Sequence, residues 1–150
     1  MIQIVTSFCY CIAFGIIFHL RGKNLILAAV GGALAWTVYL LTVYLGGMEL
    51  VAYFLASSAM TIFAETAAYM RKVPVAVYLG IEMIPLVPGR AFFYSVVNLF
   101  FGHEEAVYKQ GMYALQIAGM IALGIYLTST VVKMYHRVVR KQRKRMIERK

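Results

Sequence analysis

The chain has 150 residues, 62% of them apolar, with a mean hydropathy of +0.75 and a formal charge of +9. A soluble domain of this size holds about half apolar residues, and here the excess is gathered into runs of about 20 separated by short polar breaks, which excludes a soluble globular fold in favour of a multi-pass membrane protein. The runs are continuously apolar rather than alternating, so the spanning elements are helices and not barrel strands, and the fold class is all-α with about five transmembrane helices.

The first span is predicted over Ile2–Leu20. It has no basic n-region and no small-residue cleavage site before "HLRGKN", so it reads as a retained span and not a signal peptide. Cys9 and Cys11 lie two apart within it and cannot bridge each other on a helix. They read as apolar thiols. The second span, Leu25–Leu45, ends at Gly46 and Gly47. It carries the small-residue pairs Ala28/Gly32 and Ala29/Ala33, which permit close helix packing, and Trp36. The third, Leu50–Met70, closes on Arg71 and Lys72. Pro74 opens the fourth, as proline tolerates a first helical turn. That segment runs to Phe101 and is long for a single crossing. A polar break, "GHEEAVYKQG", is expected as a solvated loop at Gly102–Gly111. The last span, Met112–Val132, has a small-residue row at Ala114, Ala118 and Ala122. Residues 1–132 form one transmembrane domain, and 133–150 form a basic tail.

Basic residues set the orientation. Arg21 and Lys23, Arg71 and Lys72, and nine residues from Lys133 to Lys150 make 13 of the 15 cations. With five crossings all three clusters fall on one side, which the positive-inside rule makes cytoplasmic, with the N-terminus outside and the C-terminus inside. Four crossings would leave one segment re-entrant and put basic breaks outside. Tyr39, Tyr44, Tyr53, Tyr108 and Tyr113 fall near the outer boundary and read as interfacial anchors. The tail, directly after a span, suits anionic lipid rather than nucleic acid.

The fourth segment contains "IEMIPLVPGR", Ile81–Arg90. Pro85 and Pro88 each remove a backbone donor and crowd the carbonyl four residues earlier, and Gly89 adds conformational freedom. Two such lesions within five residues interrupt a helix. Pro85 lies roughly 18 Å into the span, near mid-membrane, where freed carbonyls at Ile81 and Ile84 need protein or water. Broken helices of this kind expose helix ends to substrate in secondary transporters. The half-helix starting near Gly89 would turn its positive end, and Arg90, toward an anion. A packing kink is the alternative.

Charged side chains inside the membrane usually face a cavity or a partner. Glu82 and Arg90 flank the break, and Glu65 shares a helical face with Ser57, Ser58 and Thr61, opposite Leu55, Met60, Ile62 and Phe63. That polar stripe either glues helices together or lines a solvated path. Glu65 and Glu82 are candidates for proton or ion coupling, and Pro85, Pro88, Gly89, Arg90, Ser58 and Thr61 for the substrate path. Alternatively Glu65 pairs with Arg71 or Lys72, and Arg90 forms a structural ion pair with a glutamate. His19 and His103 flank spans and have no second ligand at metal spacing, and His136 sits in the basic tail. No Ser–His or Cys–His arrangement suggests an enzyme, and no cofactor is implied.

The stretches "FHLRGKNLILAAVGGALAW" and "RKVPVAVYLGIEMIPLVPG", with the "FFY" that follows, resemble the threonine/serine exporter family, from Phe18 to about Val132. The likeness is to its small component, the equivalent of the second membrane half of longer single-chain members. The resemblance implies secondary export of threonine and serine, or of dicarboxylates in some two-component members, across the cell membrane. It also implies a larger membrane subunit of the same family as partner. Independently, five spans are few for alternating access, which commonly uses two related halves, so a partner or self-association is expected. The competing function is a membrane scaffold whose charges are interhelical staples.

Overall fold

The computed structural model describes residues 2–147 and is helical throughout, with no strand among them. Six α-helices follow in order: α1 Ile2–Ile17, α2 Lys23–Tyr44, α3 Glu49–Arg71, α4 Val75–Glu82, α5 Gly89–Phe100 and α6 Glu104–Ile147. A 3₁₀ turn at Ile84–Leu86 separates α4 from α5, which are bent by 61° from each other. By length and apolarity α2, α3 and α6 can each cross a bilayer, and the bent α4–α5 pair makes a fourth crossing. Helix α1, with 16 residues, is the short apolar helix that completes the set.

Helix α3 is the centre of the bundle and has the largest buried set. It packs on α2 at one side and α6 at the other, α1 lies against α2, and α4 fits between α2 and α3. The α2 contact depends on small residues, since Ala28, Ala29, Gly31, Gly32 and Ala35 are all buried. On α6 the buried row is Ala114, Ile117, Ile121 and Gly124, while Ala118 and Ala122 face outward, so the expected small-residue row is not the packing row. At Gly124 a Cβ would come within 2.8 Å of the Phe54 carbonyl, so α3 and α6 meet backbone to backbone.

Four helices end alike. At α2 the Gly47 amide bonds to Thr42 O at 3.0 Å and the Gly46 amide to Val43 O at 3.1 Å, with Gly46 at φ 79°. This left-handed cap satisfies carbonyls that the helix leaves open. Gly102 does the same after α5, and His19 and Lys72 take the left-handed position after α1 and α3 despite their side chains. The chain can therefore turn at once, and α6 starts at Glu104 rather than after a loop reaching Gly111. Glu104 and Glu105 lie in its first turn, where the helix dipole favours acids. Helix α6 runs through the expected boundary at 132/133 as far as Ile147. The lipid reading of the tail rests on basic side chains beyond His136, which lie outside the described residues.

The basic breaks meet at one end of the bundle. Arg71 Nε donates to Asn24 Oδ1 at 2.9 Å, Tyr78 donates its hydroxyl to the same oxygen, and Lys133 pairs with Glu65. The other end is held by Glu49, which accepts hydroxyl hydrogen bonds from Tyr39 of α2 at 3.0 Å and from Tyr113 of α6. Helices α3 and α6 thus run in the same direction, Glu49, Ser57 and Glu65 meeting Tyr113, Gly124 and Ser129 in that order, and the α4–α5 pair carries the chain from the first end to the second.

Candidate substrate cavity

The two prolines act where their chemistry requires. Pro85 cannot donate to Ile81 O, and that carbonyl instead accepts the thiol of Cys11, with Sγ 3.6 Å away. Ile84 O, deprived by Pro88, takes the Val87 amide at 3.3 Å. Gly89 restarts the helix. On one side the break is sealed by protein, with Ile81, Glu82 and Leu86 at most 1% exposed. On the other side Pro85, Val87, Pro88 and Gly89 form the wall of open space. The interruption is therefore lined, as a broken membrane helix must be.

That space has two lobes. One, of about 660 Å³, lies between the break, α2, α3 and α6. Arg90 enters it from the first turn of α5, with its guanidinium 5.8 Å from the centre of the Tyr94 ring, a cation–π distance. Glu49 enters it from the first turn of α3. Trp36 and Tyr53 complete an aromatic wall around Tyr39, at centroid separations of 4.9 and 4.7 Å. The indole Nε1 of Trp36 is buried with no hydrogen-bond partner, an unusual condition for a donor. The second lobe, about 530 Å³, lies toward α1 and includes Gln3, Thr6 and Tyr10. Trp36, Pro85, Val87 and Gly89 border both lobes.

Tyr39, Tyr53 and Tyr113, expected as lipid-interface anchors, instead belong to the cavity. Glu49 was missed by sequence reasoning, because an acidic residue opening a helix already has an explanation in the helix dipole. The signal that would have found it is its position at the same membrane end as Tyr39 and Tyr113.

Glu82 is fully buried, and neither carboxylate oxygen has a hydrogen-bond partner. It lies against Gly31, where a Cβ would come within 2.2 Å of the carboxyl carbon. It is in neither lobe, being on the sealed side of the break. Burial of an unpartnered carboxylate is costly, so this residue is a strained component of the core.

Glu65 is elsewhere. It accepts Ser129 Oγ at 2.6 Å and pairs with Lys133 Nζ at 3.6 Å. The expected alternative partners, Arg71 and Lys72, are not used. Glu65 borders a separate hollow of about 380 Å³ with Lys133, Tyr69 and His136, the last two stacked at 4.9 Å. Sixteen positions of α3 separate it from Glu49, roughly 24 Å along the axis. Ser58 and Thr61 do not join the main cavity either. Ser58 donates to Phe54 O and Thr61 to Ser57 O within α3, and Ser57 meets Gly124 of α6. This part of the stripe packs helices. Met60, on the face opposite that stripe, is fully buried in the core between α2, α3 and α6.

A helical membrane bundle with one span broken, and with charged and aromatic residues around the break, has an architecture that membrane transport proteins use. Residues 3–131 match the family Threonine/Serine exporter, ThrE, and the chain belongs to that family. Its role is accordingly amino-acid transport of the threonine/serine exporter type, and the family is one of transporters rather than enzymes. No curated relative and no solved structure matches the chain.

Proposed function

We propose that this chain is the smaller membrane subunit of a secondary, ion-coupled exporter of small amino acids, working with a larger subunit of the same family in the cell membrane. The observation that carries this reading is the opening of the Pro85–Gly89 break onto a cavity that Arg90 enters from the start of α5. The free amides of that helix start and the guanidinium suit the carboxylate common to all amino acids. Pro85, Pro88 and Gly89 shape the wall past which the substrate moves. Glu82, with two unoccupied carboxylate oxygens beside the break, is the coupling group, able to take a proton or small cation as the break rearranges. Glu65 serves the opposite mouth, where Lys133 is its counter-charge; Ser58 and Thr61, whose hydroxyls bond back within α3, support the path through that helix alone.

Efflux of labelled threonine from cells expressing both subunits tests this. Arg90→Ala, Gly89→Leu and Glu82→Gln are each expected to lower efflux ten-fold or more at normal expression, and Glu65→Gln less. Unchanged efflux in all four removes the assignment. The scaffold reading has support in the satisfied Glu65–Ser129–Lys133 cluster, which fits an interhelical staple. Full transport by proteoliposomes holding the larger subunit alone would favour it.

A further inference from the structure

We propose that Glu49 and Arg90 form a two-ended clamp for a zwitterion, with Glu49 receiving the ammonium group and Arg90 the carboxylate, so that the cavity selects amino acids over dicarboxylates. The inference rests on the exporter reading and adds to it a recognition residue and a basis for selectivity.

Three observations converge on Glu49. Both oxygens are already oriented, Oε1 by the hydroxyl of Tyr39 and Oε2 by that of Tyr113, from two different helices. A carboxylate has about four acceptor sites, so each oxygen retains one. Among the described residues, no cation approaches Glu49 within 4 Å, the ion pair found there being Lys133–Glu65. The charge is supported by the first turn of α3, which takes up none of the free acceptor sites. Glu49 is thus held in place by phenols yet has no counter-ion, and it faces a space large enough for a small amino acid.

Arg90 borders the same space and makes no ion pair within 4 Å among the described residues. Two opposite charges that could neutralise each other are instead kept apart by the cavity. A ligand carrying one charge of each sign satisfies both. A dianion satisfies Arg90 only and brings its second carboxylate toward Glu49. The next charges, Glu105 and Lys109, border the adjoining outer hollow on α6 with Glu49; being of opposite sign, they leave the polarity of the clamp unchanged. Aromatic walls from Tyr53 and Trp36 leave space for a short side chain.

The test is ligand-dependent thermal stabilisation of the purified two-subunit complex, which reports apparent Kd for a ligand that binds the folded state. The probes are threonine, 3-hydroxybutyrate (no ammonium), 1-aminopropan-2-ol (no carboxylate) and succinate. The wild-type complex is expected to prefer threonine over the other three. Glu49→Gln should weaken threonine at least ten-fold and leave 3-hydroxybutyrate within two-fold, collapsing the preference between them. Arg90→Gln should do the converse, collapsing the preference of threonine over 1-aminopropan-2-ol. Tyr113→Phe, which disturbs Glu49 without removing it, should give a smaller loss of the same kind and stands in if Glu49→Gln fails to fold. An equal loss of threonine and 3-hydroxybutyrate in Glu49→Gln, or no loss, overturns the clamp while threonine binding by the wild type keeps the exporter reading. Wild-type binding of succinate in place of threonine overturns both.

Discussion

Gly31 and Gly124 are two glycines where one added methyl group would be felt, for different reasons. At Gly31 the added Cβ meets the end of the Glu82 side chain, at 2.2 Å from its carboxyl carbon. At Gly124 it meets Ser57 Oγ at 2.1 Å and the Phe54 carbonyl at 2.8 Å. A side chain can swing away where backbone cannot, but Glu82 is fully enclosed, so both changes amount to overpacking, at about 1–3 kcal/mol each. The two separate in a mutant cycle. In a Glu82→Ala background the cost of Gly31→Ala should largely vanish, because the atoms it strikes are gone, while Gly124→Ala should keep its full cost since the sites share no partner. Denaturant or thermal unfolding in detergent measures this. Equal costs of Gly31→Ala with and without the Glu82 carboxylate would mean that the close approach of α4 to α2 does not depend on it. Residues of this kind were only partly legible. Periodicity put Ser58, Thr61 and Glu65 on one face, but it does not say what a face meets, and the structure sends Glu65 to Ser129 and Lys133 and turns the hydroxyls back on their own helix. Glu49 depends on tyrosines 10 positions before it and 64 after it, contacts that no local pattern encodes.

At the scale of elements, the broken span was the most readable feature, because proline acts on backbone within four residues of itself and needs no tertiary context. Both its ends fall where the side-chain chemistry puts them, with α4 stopping at Glu82 and α5 starting at Gly89. The end of the third helix at Arg71 and Lys72 was readable from its charges, but the left-handed conformation of a helix end without glycine was not: His19 and Lys72 take such positions at φ 59° and 55°, conformations that their side chains disfavour and that only the tight turn between neighbouring helices explains. If the break exists for transport, healing it should cost function and not stability. The double variant Pro85→Ala, Pro88→Ala returns donors to Ile81 O and Ile84 O, and each proline removed from a helical path relieves up to about 3 kcal/mol. Thermal stability should hold or rise, the new amides at positions 85 and 88 should exchange slowly with deuterium, and threonine efflux should fall at least ten-fold. Wild-type efflux from a variant with those slow amides would show that the interruption is ornamental to transport.

At the scale of the molecule, the two ends differ in character. One end collects Asn24, Arg71, Lys133 and the basic breaks; the other has Glu49, the cavity mouth, and Glu104 and Glu105 at the start of α6. Chain order had already required this polarity, since five crossings place all three basic clusters together, and the joining of Asn24 to Arg71 across 47 positions is its physical expression. Helix α5 rests on α6, and its other sides expose Phe92, Phe93, Leu99 and Phe100, so in this chain alone the second half of the broken span is covered on one side. The positive-inside rule expects the basic end on the cytoplasmic side, and with that orientation the cavity opens outward. Cysteine labelling decides it. With Cys9 and Cys11 changed to serine, Lys109→Cys is expected to react with a membrane-impermeant maleimide in intact cells, and Lys72→Cys only after the membrane is permeabilised. The reverse pattern would invert the molecule, turn the clamp of Glu49 and Arg90 toward the cytoplasm, and make that cavity the loading side for export instead of the release side.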